Sequence, residues 1–268
     1  MVKIVVLNDD RCNVDNLKHV HGLSLYVNVD NYELLFDLGQ EDCFKSNSQK
    51  LGINLDNIKC IVLSHGHYDH TDGLVYANKK IDIICHPDCT IWRQSKRTEK
   101  YNGIPYNEEE LKEKFNLIMS KTPYKISKKI TFLGEIERIK DFECKEFPSI
   151  LEDKTDDIAI DDTGIVIDTE KGLIVISGCS HSGICNTIEY AKKVTGKNDI
   201  YAVMGGFHLK KCNDQTQKTI EFMKEINVKK LFLGHCTSDE VCQKFIDELS
   251  DNIEVQILET GKEYIFEI

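Results

Sequence analysis

Apolar residues along this chain keep two rhythms, alternation or short runs on one hand and helical spacing on the other. Lys3 to Leu7, Leu23 to Val29 and Glu33 to Phe36 run or alternate apolar between Asn, Asp and Gly breaks, which predicts a β-meander. Glu41 to Leu51 spaces Phe44 and Leu51 on one helical face and stops at Gly52. Ile61 to Leu63 and Ile81 to Cys85 follow as short buried strands, the second closed by His86-Pro87. From Asp88 to Leu151 the pattern loosens into Lys and Glu blocks with prolines, and only Glu108 to Phe115 is clearly helical. That stretch is expected to be a lid-like insertion at about 88–151 within one domain spanning 1–268. The β pattern then resumes over Asp157 to Asp168 and Gly172 to Ser177. Helices Ile184 to Val194, Gln215 to Ile226 and Asp239 to Leu249 alternate with strands Ile200 to Met204, Lys230 to Leu233, Ile253 to Leu258 and Tyr264 to Ile268. Meander plus helix occurs twice, which predicts an α/β chain of two sheets packed face to face with helices outside.

Four of the apolar runs end in histidine: CIVLSHGH, GLIVISGCSH, IYAVMGGFH and KKLFLGH. If the carboxyl ends of these strands share a rim, His65, His67, His181, His208 and His235 converge although they are far apart in sequence. The first run is the densest, with His65, His67, Asp69 and His70 directly behind Ile61 to Leu63. Neutral imidazole and carboxylate are the ligands of divalent ions at hydrolytically competent sites, whereas all-thiolate sets make closed structural ones. His65 and His67 can share one ion, and Asp69 and His70, past the turn, can hold a second, giving a two-metal site that activates water. His208 is read as a group that orients substrate or moves a proton, with Asp69 orienting the nucleophile. Cys236 adjoins His235 and can support it. His86 either touches substrate or hydrogen-bonds its own loop, and His21 can line the pocket mouth.

Charge and cysteine usage narrow the function. The net charge of −11 repels polyanions and argues against nucleic-acid substrates. No run is long enough for a signal or membrane segment, and eleven cysteines without a secretion signal point to reduced thiols, so the cytoplasm is the expected location. Against this acidic background, Arg93 to Ile130 carries ten Lys/Arg and five Glu. Arg93 and Arg97 in that segment are candidate grips for a small anionic substrate, since a guanidinium suits bidentate phosphate recognition. The competing reading is a solvated basic face.

SHGHYDH, with HGLSLYV, LLFDLGQ, GLIVISGCSHSGICN, AVMGGFHL and LGHCT, resembles the metallo-β-lactamase fold superfamily, and within it the dihydropteroate-synthase-like, or dihydropterin-ribofuranosyl-aminobenzene phosphate synthase, subfamily. The likeness runs the whole length; Asp72 departs from it, where that subfamily usually has Gly. The resemblance implies a four-layer αββα sandwich and two divalent ions, zinc first, with manganese or iron as alternatives. It implies that His65, His67 and His181 hold one ion, that Asp69, His70 and His235 hold the other, and that Asp37 braces the metal loop. Most relatives have an aspartate at the turn that here reads Gly178-Cys179. Whether Cys179 bridges the ions, whether His181 replaces an earlier histidine, and whether Asp156 or Asp157 joins the ligands stay open at this point. The function implied is a metal-dependent hydrolase acting on a phosphorylated or pterin-like substrate. A synthase that couples a dihydropterin is the alternative, and a redox protein on the same fold a further one; diiron members of the fold carry Glu where this chain has His67.

Overall fold

In the computed structural model, which describes residues 1–144 and 147–267, the chain forms sixteen strands and six α-helices. In order these are β1 (Val2–Asn8), β2 (Ser24–Val29), β3 (Tyr32–Phe36), α1 (Cys43–Lys50), β4 (Cys60–Val62), α2 (Tyr68–Thr71), β5 (Asp82–Cys85) and β6 (Arg93–Ser95). Then come α3 (Glu108–Lys114), β7 (Asn116–Met119), β8 (Tyr124–Lys125), β9 (Ile130–Phe132), β10 (Ser149–Leu151), β11 (Gly164–Thr169) and β12 (Gly172–Ser177). The last third contains α4 (Ile184–Thr195), β13 (Ile200–Gly205), α5 (Asp214–Glu225), β14 (Lys230–Leu233), α6 (Asp239–Leu249), β15 (Glu254–Ile257) and β16 (Glu263–Phe266).

Fourteen of the strands build two seven-stranded sheets, ordered β16-β1-β2-β3-β4-β5-β7 and β15-β14-β13-β12-β11-β9-β8. Each sheet begins as an antiparallel meander and continues in parallel, from β3 through β7 in the first and from β12 through β15 in the second. The period of two explains the layering. In β12, Ile174 and Ile176 face the core between the sheets with Ile4, Phe36, Phe232 and Phe266. Leu173 and Val175 face the other way, against Ile184, Ile220 and Phe245 of α4, α5 and α6. A strand buried on both faces reads as a continuous apolar run, as GLIVIS does. The outer face of the first sheet, through Leu35, Ile61 and Ile83, packs on Phe44 of α1 and Leu111 of α3. The result is the expected helix–sheet–sheet–helix sandwich.

The stretch 88–151 is not a lid set apart from the fold. β7 extends the first sheet and β8 and β9 the second, with Ile130 and Phe132 in the central core. These runs are only two to four residues long, too short to establish a period against their polar neighbours. What lies apart from the two large sheets is the two-stranded ribbon of β6 and β10, whose Ser95 and Ser149 line the cavity described below. Residues 145–146 of this stretch fall outside the described residues, as does Ile268 at the end of the expected last strand. The expected strand from Asp157 starts only at Gly164, because buried Asp157, Asp161 and Asp162 serve polar partners in the loop before it. Among the described residues no helix is long and apolar enough to cross a membrane.

Phe232 lies between the sheets, its ring 4.6 Å from Tyr264 and 5.7 Å from Phe266. Phe232→Ala should therefore cost about 3–5 kcal/mol, read as a lower denaturant midpoint at unchanged slope.

Candidate metal centre

The carboxyl ends of strands from both sheets meet at one rim. Asp9 and Asp10 follow β1, Asp37 follows β3, His65 and His67 follow β4, Cys179 and His181 follow β12, His208 follows β13 and His235 follows β14. The turns are sharp: Asp37, His208 and His235 adopt φ of 55°, 47° and 42°. Non-glycine residues in that region are uncommon and persist where surrounding bonds demand them. Two glycines allow the loops to close: a Cβ on Gly66 would lie 1.9 Å from the Cys89 carbonyl oxygen, and one on Gly178 2.0 Å from Ser64 Oγ.

Two ligand groups that share no residue result: His65, His67 and His181 form one, and Asp69, His70, Cys179 and His235 the other, with ligand atoms within 4.8 Å of one another in each; Asp10, His21 and His235 make a third that overlaps the second at His235. Hydrogen bonds around the rings decide which nitrogen turns inward. Ser64 Oγ donates to Asp37 Oδ2 at 2.6 Å and so accepts from His65 Nδ1 at 2.9 Å, leaving His65 Nε2 a lone pair 3.0 Å from His67 Nδ1. His70 Nδ1 donates to Asp37 Oδ2 at 2.7 Å, and its Nε2 faces Cys179 Sγ at 3.2 Å and His235 Nε2 at 3.1 Å. His235 Nδ1 is held by Asp10 at 2.8 Å, and its Nε2 lies 3.2 Å from Asp69. Carboxylates behind imidazoles are the arrangement that fixes tautomer and ring orientation at metal sites. His181 Nε2 is buried with no hydrogen-bond partner among the described residues. A buried ring nitrogen with nothing to bond, beside lone pairs gathered at 3 Å, fits a cation, so this donor set suits the divalent ions that the sequence implies.

Electrostatics separate the two groups. Burial and the neighbouring imidazoles hold His65 and His181 well below their ordinary values, so both are neutral and ready to ligate. Burial would raise Asp69, but the charge of His70 and bonds from His21 and His235 outweigh it and keep the carboxylate ionised. Burial likewise opposes charge on His235, yet its bonds to Asp10 and Asp69 push it well above the usual range, and burial pushes the Cys179 thiol up. An ion taken up by the second group must displace those protons, whereas His65 and His181 of the first have none to lose.

The remaining candidates divide. His208 stacks on His181 at 4.4 Å and lines a cavity of about 390 Å³ above the two groups, outside both. Cys236 Sγ accepts the His208 N–H at 3.3 Å and donates to the Cys179 carbonyl at 3.5 Å, so it ties two of the loops. His21, bonded to Asp10 and Asp69 and pushed up to about 9 by them, stands at the cavity wall. Arg97 lines the cavity, together with Lys96 and Lys210. Arg93 does not: it is wholly buried between Asp157 and Asp161, because β6 turns it inward beneath the metal loop. Of the two readings for His86, the structure shows the loop bond and not the substrate contact: it is buried, its Nδ1 accepts from the Asp88 N–H and caps a short turn, and it lies away from the cavity lining. Asp156 is exposed on Lys96, while Asp157 Oδ2 is 3.8 Å from His67 Nε2, behind the ligands rather than among them. Sequence reading missed Asp10, Ser64, Ser149 and Lys210. Asp10 follows β1 as the histidines follow their strands, so the same strand-end signal could have found it; the others have no such mark.

The sequence profile of the metallo-beta-lactamase superfamily matches residues 19–192. The chain belongs to that superfamily. It is 34% identical to the 7,8-dihydropterin-6-methyl-4-(beta-D-ribofuranosyl)-aminobenzene-5'-phosphate synthase of Methanocaldococcus jannaschii, over 94% of this chain and 93% of the relative. An uncharacterised protein of the same organism is also 34% identical, over 91% and 93%. Among solved structures, a metal-dependent hydrolase of the beta-lactamase superfamily superposes with a TM-score of 0.85 at 27% identity, covering 99% of both chains. A diphosphatase of the PhnP family, at 0.59 and 12% identity, covering 100% of this chain and 99% of its own, shares the fold.

Calorimetric titration of the metal-free protein with zinc, in buffers of different ionisation enthalpy, should show more proton release from the second group than from the first. The affinity of the second group should rise about tenfold per pH unit for each proton displaced, more steeply than that of the first group. Asp37→Ala should weaken zinc binding about 10–100-fold, since it unfastens His70 directly and His65 through Ser64.

Proposed function

We propose that this chain is a metal-dependent transferase that joins a dihydropterin carrying a diphosphate leaving group to an aminobenzene bearing a ribofuranosyl phosphate. The observation that carries the reading is the 34% identity to a synthase of such a product across 94% of the chain. The cavity supports it, because cationic Lys96, Arg97 and Lys210 line the same space as both ligand groups, in a protein of net charge −11. In the coupling, the aminobenzene nitrogen forms a bond to the dihydropterin methylene as the carbon–oxygen bond to diphosphate breaks, and the amine gives up a proton. Bound divalent ions would supply Lewis acidity to the departing diphosphate. Arg97 and Lys210 offer charge to phosphate groups at the cavity wall. His208 faces the same cavity, and burial holds it below its ordinary value, so it is neutral and able to accept the amine proton. His21 and Tyr68 close the side of the cavity by Asp69.

A second reading, hydrolysis, is favoured by the 0.85 TM-score to a metal-dependent hydrolase. One assay separates the two. Zinc- or manganese-loaded protein is incubated with the dihydropterin diphosphate, with and without the aminobenzene phosphate, and products are resolved by chromatography. Coupled product that requires the amine is expected. Free hydroxymethyl-dihydropterin at the same rate with or without the amine would overturn the transferase and establish the hydrolase. In the productive assay Asp69→Ala should abolish turnover, and the Arg97→Ala, Lys210→Ala double variant should raise KM about tenfold or more with a smaller effect on kcat.

A further inference from the structure

Arg93 is the largest fully buried side chain, and a guanidinium taken out of water costs several kcal/mol unless its donors are satisfied. Its Nε donates to Asp157 Oδ2 at 2.8 Å and its Nη2 to Asp161 Oδ1 at 2.5 Å, while the Cys89 and Asp88 carbonyls accept at 3.3 Å. An ion pair serving only stability could end there. Both carboxylates instead continue to the metal loop. Asp161 Oδ2 accepts the N–H of Gly66, the residue between the two histidines, at 2.8 Å. Asp157 Oδ2 faces His67 Nε2 at 3.8 Å, and Ser149 Oγ stands 3.5 Å from the same nitrogen. That leaves His67 Nδ1 as the inward atom, 3.0 Å from His65 Nε2. Gly66 is required for this approach, since a Cβ there would lie 2.4 Å from Arg93 Nη1.

We infer that Arg93, Asp157 and Asp161 form a clamp that positions His67, so that the His65, His67, His181 group presents three nitrogens to one ion. The clamp rests on the reading of that group as a metal site. It acts on one ligand group only, for the second is braced separately by Asp37 and Asp10. The three are positioning residues, since none belongs to either ligand group.

The test uses metal-free full-length protein, zinc as the probe and calorimetry as the readout. Asp157→Asn and Asp161→Asn keep size but remove the charge that Arg93 holds and turn one of two accepting oxygens into a donor. Each is expected to lower the melting temperature of the metal-free protein, and, at a temperature where circular dichroism shows it folded, to lower zinc affinity at one site about 10–100-fold while leaving the other within about twofold. Arg93→Ala, which can fail to fold, is paired with added methylguanidinium, expected to restore the weakened site. Wild-type affinity at both sites in the Asn variants would overturn the clamp, and so would equal weakening of both sites. A wild type that takes up no zinc at all would remove the metal-site reading itself, and the clamp with it.

Discussion

The carboxylate of Asp37 is the interaction on which the rim depends. Fully buried, it accepts the Ser64 N–H and hydroxyl and the Nδ1–H of His70, and thereby ties the end of β3 to the end of β4 and to α2. A buried carboxylate is tolerated only when its lone pairs are engaged, and two of the bonds it makes here also settle a tautomer. Ser64, with its proton committed to Asp37, must accept from His65. His70, with Nδ1 committed, must turn Nε2 toward Cys179 and His235. One desolvated charge therefore orients a ligand in each group.

The rest of the rim extends that principle with different partners. Asp10 does for His235 what Asp37 does for His70, and it also holds His21 at the cavity wall. Asp9 accepts the His235 N–H and stabilises a backbone with positive φ; burial raises its carboxyl to about 6, against the pull of His235 and of the N–H groups of Arg11 and His235. On the far side, Arg93 joins two carboxylates behind His67. The two groups differ in charge state, because burial and neighbouring imidazoles keep His65 and His181 of the first neutral while Asp10 and Asp69 hold a proton on His235 of the second. The sulfur of Cys179 in that second group gives it a softer donor than the all-nitrogen first group.

A cavity above such a rim, bounded by Tyr68, Asn102 and Ser149, carries the three cationic side chains on which the proposed phosphate contacts rest. The proteins that resemble this one include both a synthase and a metal-dependent hydrolase, so the fold by itself does not choose between the two chemistries.

Much of this was determined by the sequence alone. Continuous apolar runs such as GLIVIS and the helical spacing of α4 to α6 specify their elements locally, because burial on two faces or one leaves a mark in composition. Histidines at the ends of four such runs marked the rim, and SHGHYDH marked its densest part, since ligand chemistry admits few residue types. What only the tertiary structure decided concerns direction and partnership. Arg93 and Arg97 look alike in sequence, yet one is buried against Asp157 and Asp161 and the other lines the cavity, since neighbouring positions on the β6 ribbon and the turn after it face different ways. His86 and His67 both follow short buried strands, but the first caps a turn and the second faces the ligand cluster. The short strands of 116–132 left no period to read and were placed by pairing with sheets already formed. Asp10, Ser64 and Lys210 acquire their roles from residues up to 225 positions away, a separation no local pattern encodes.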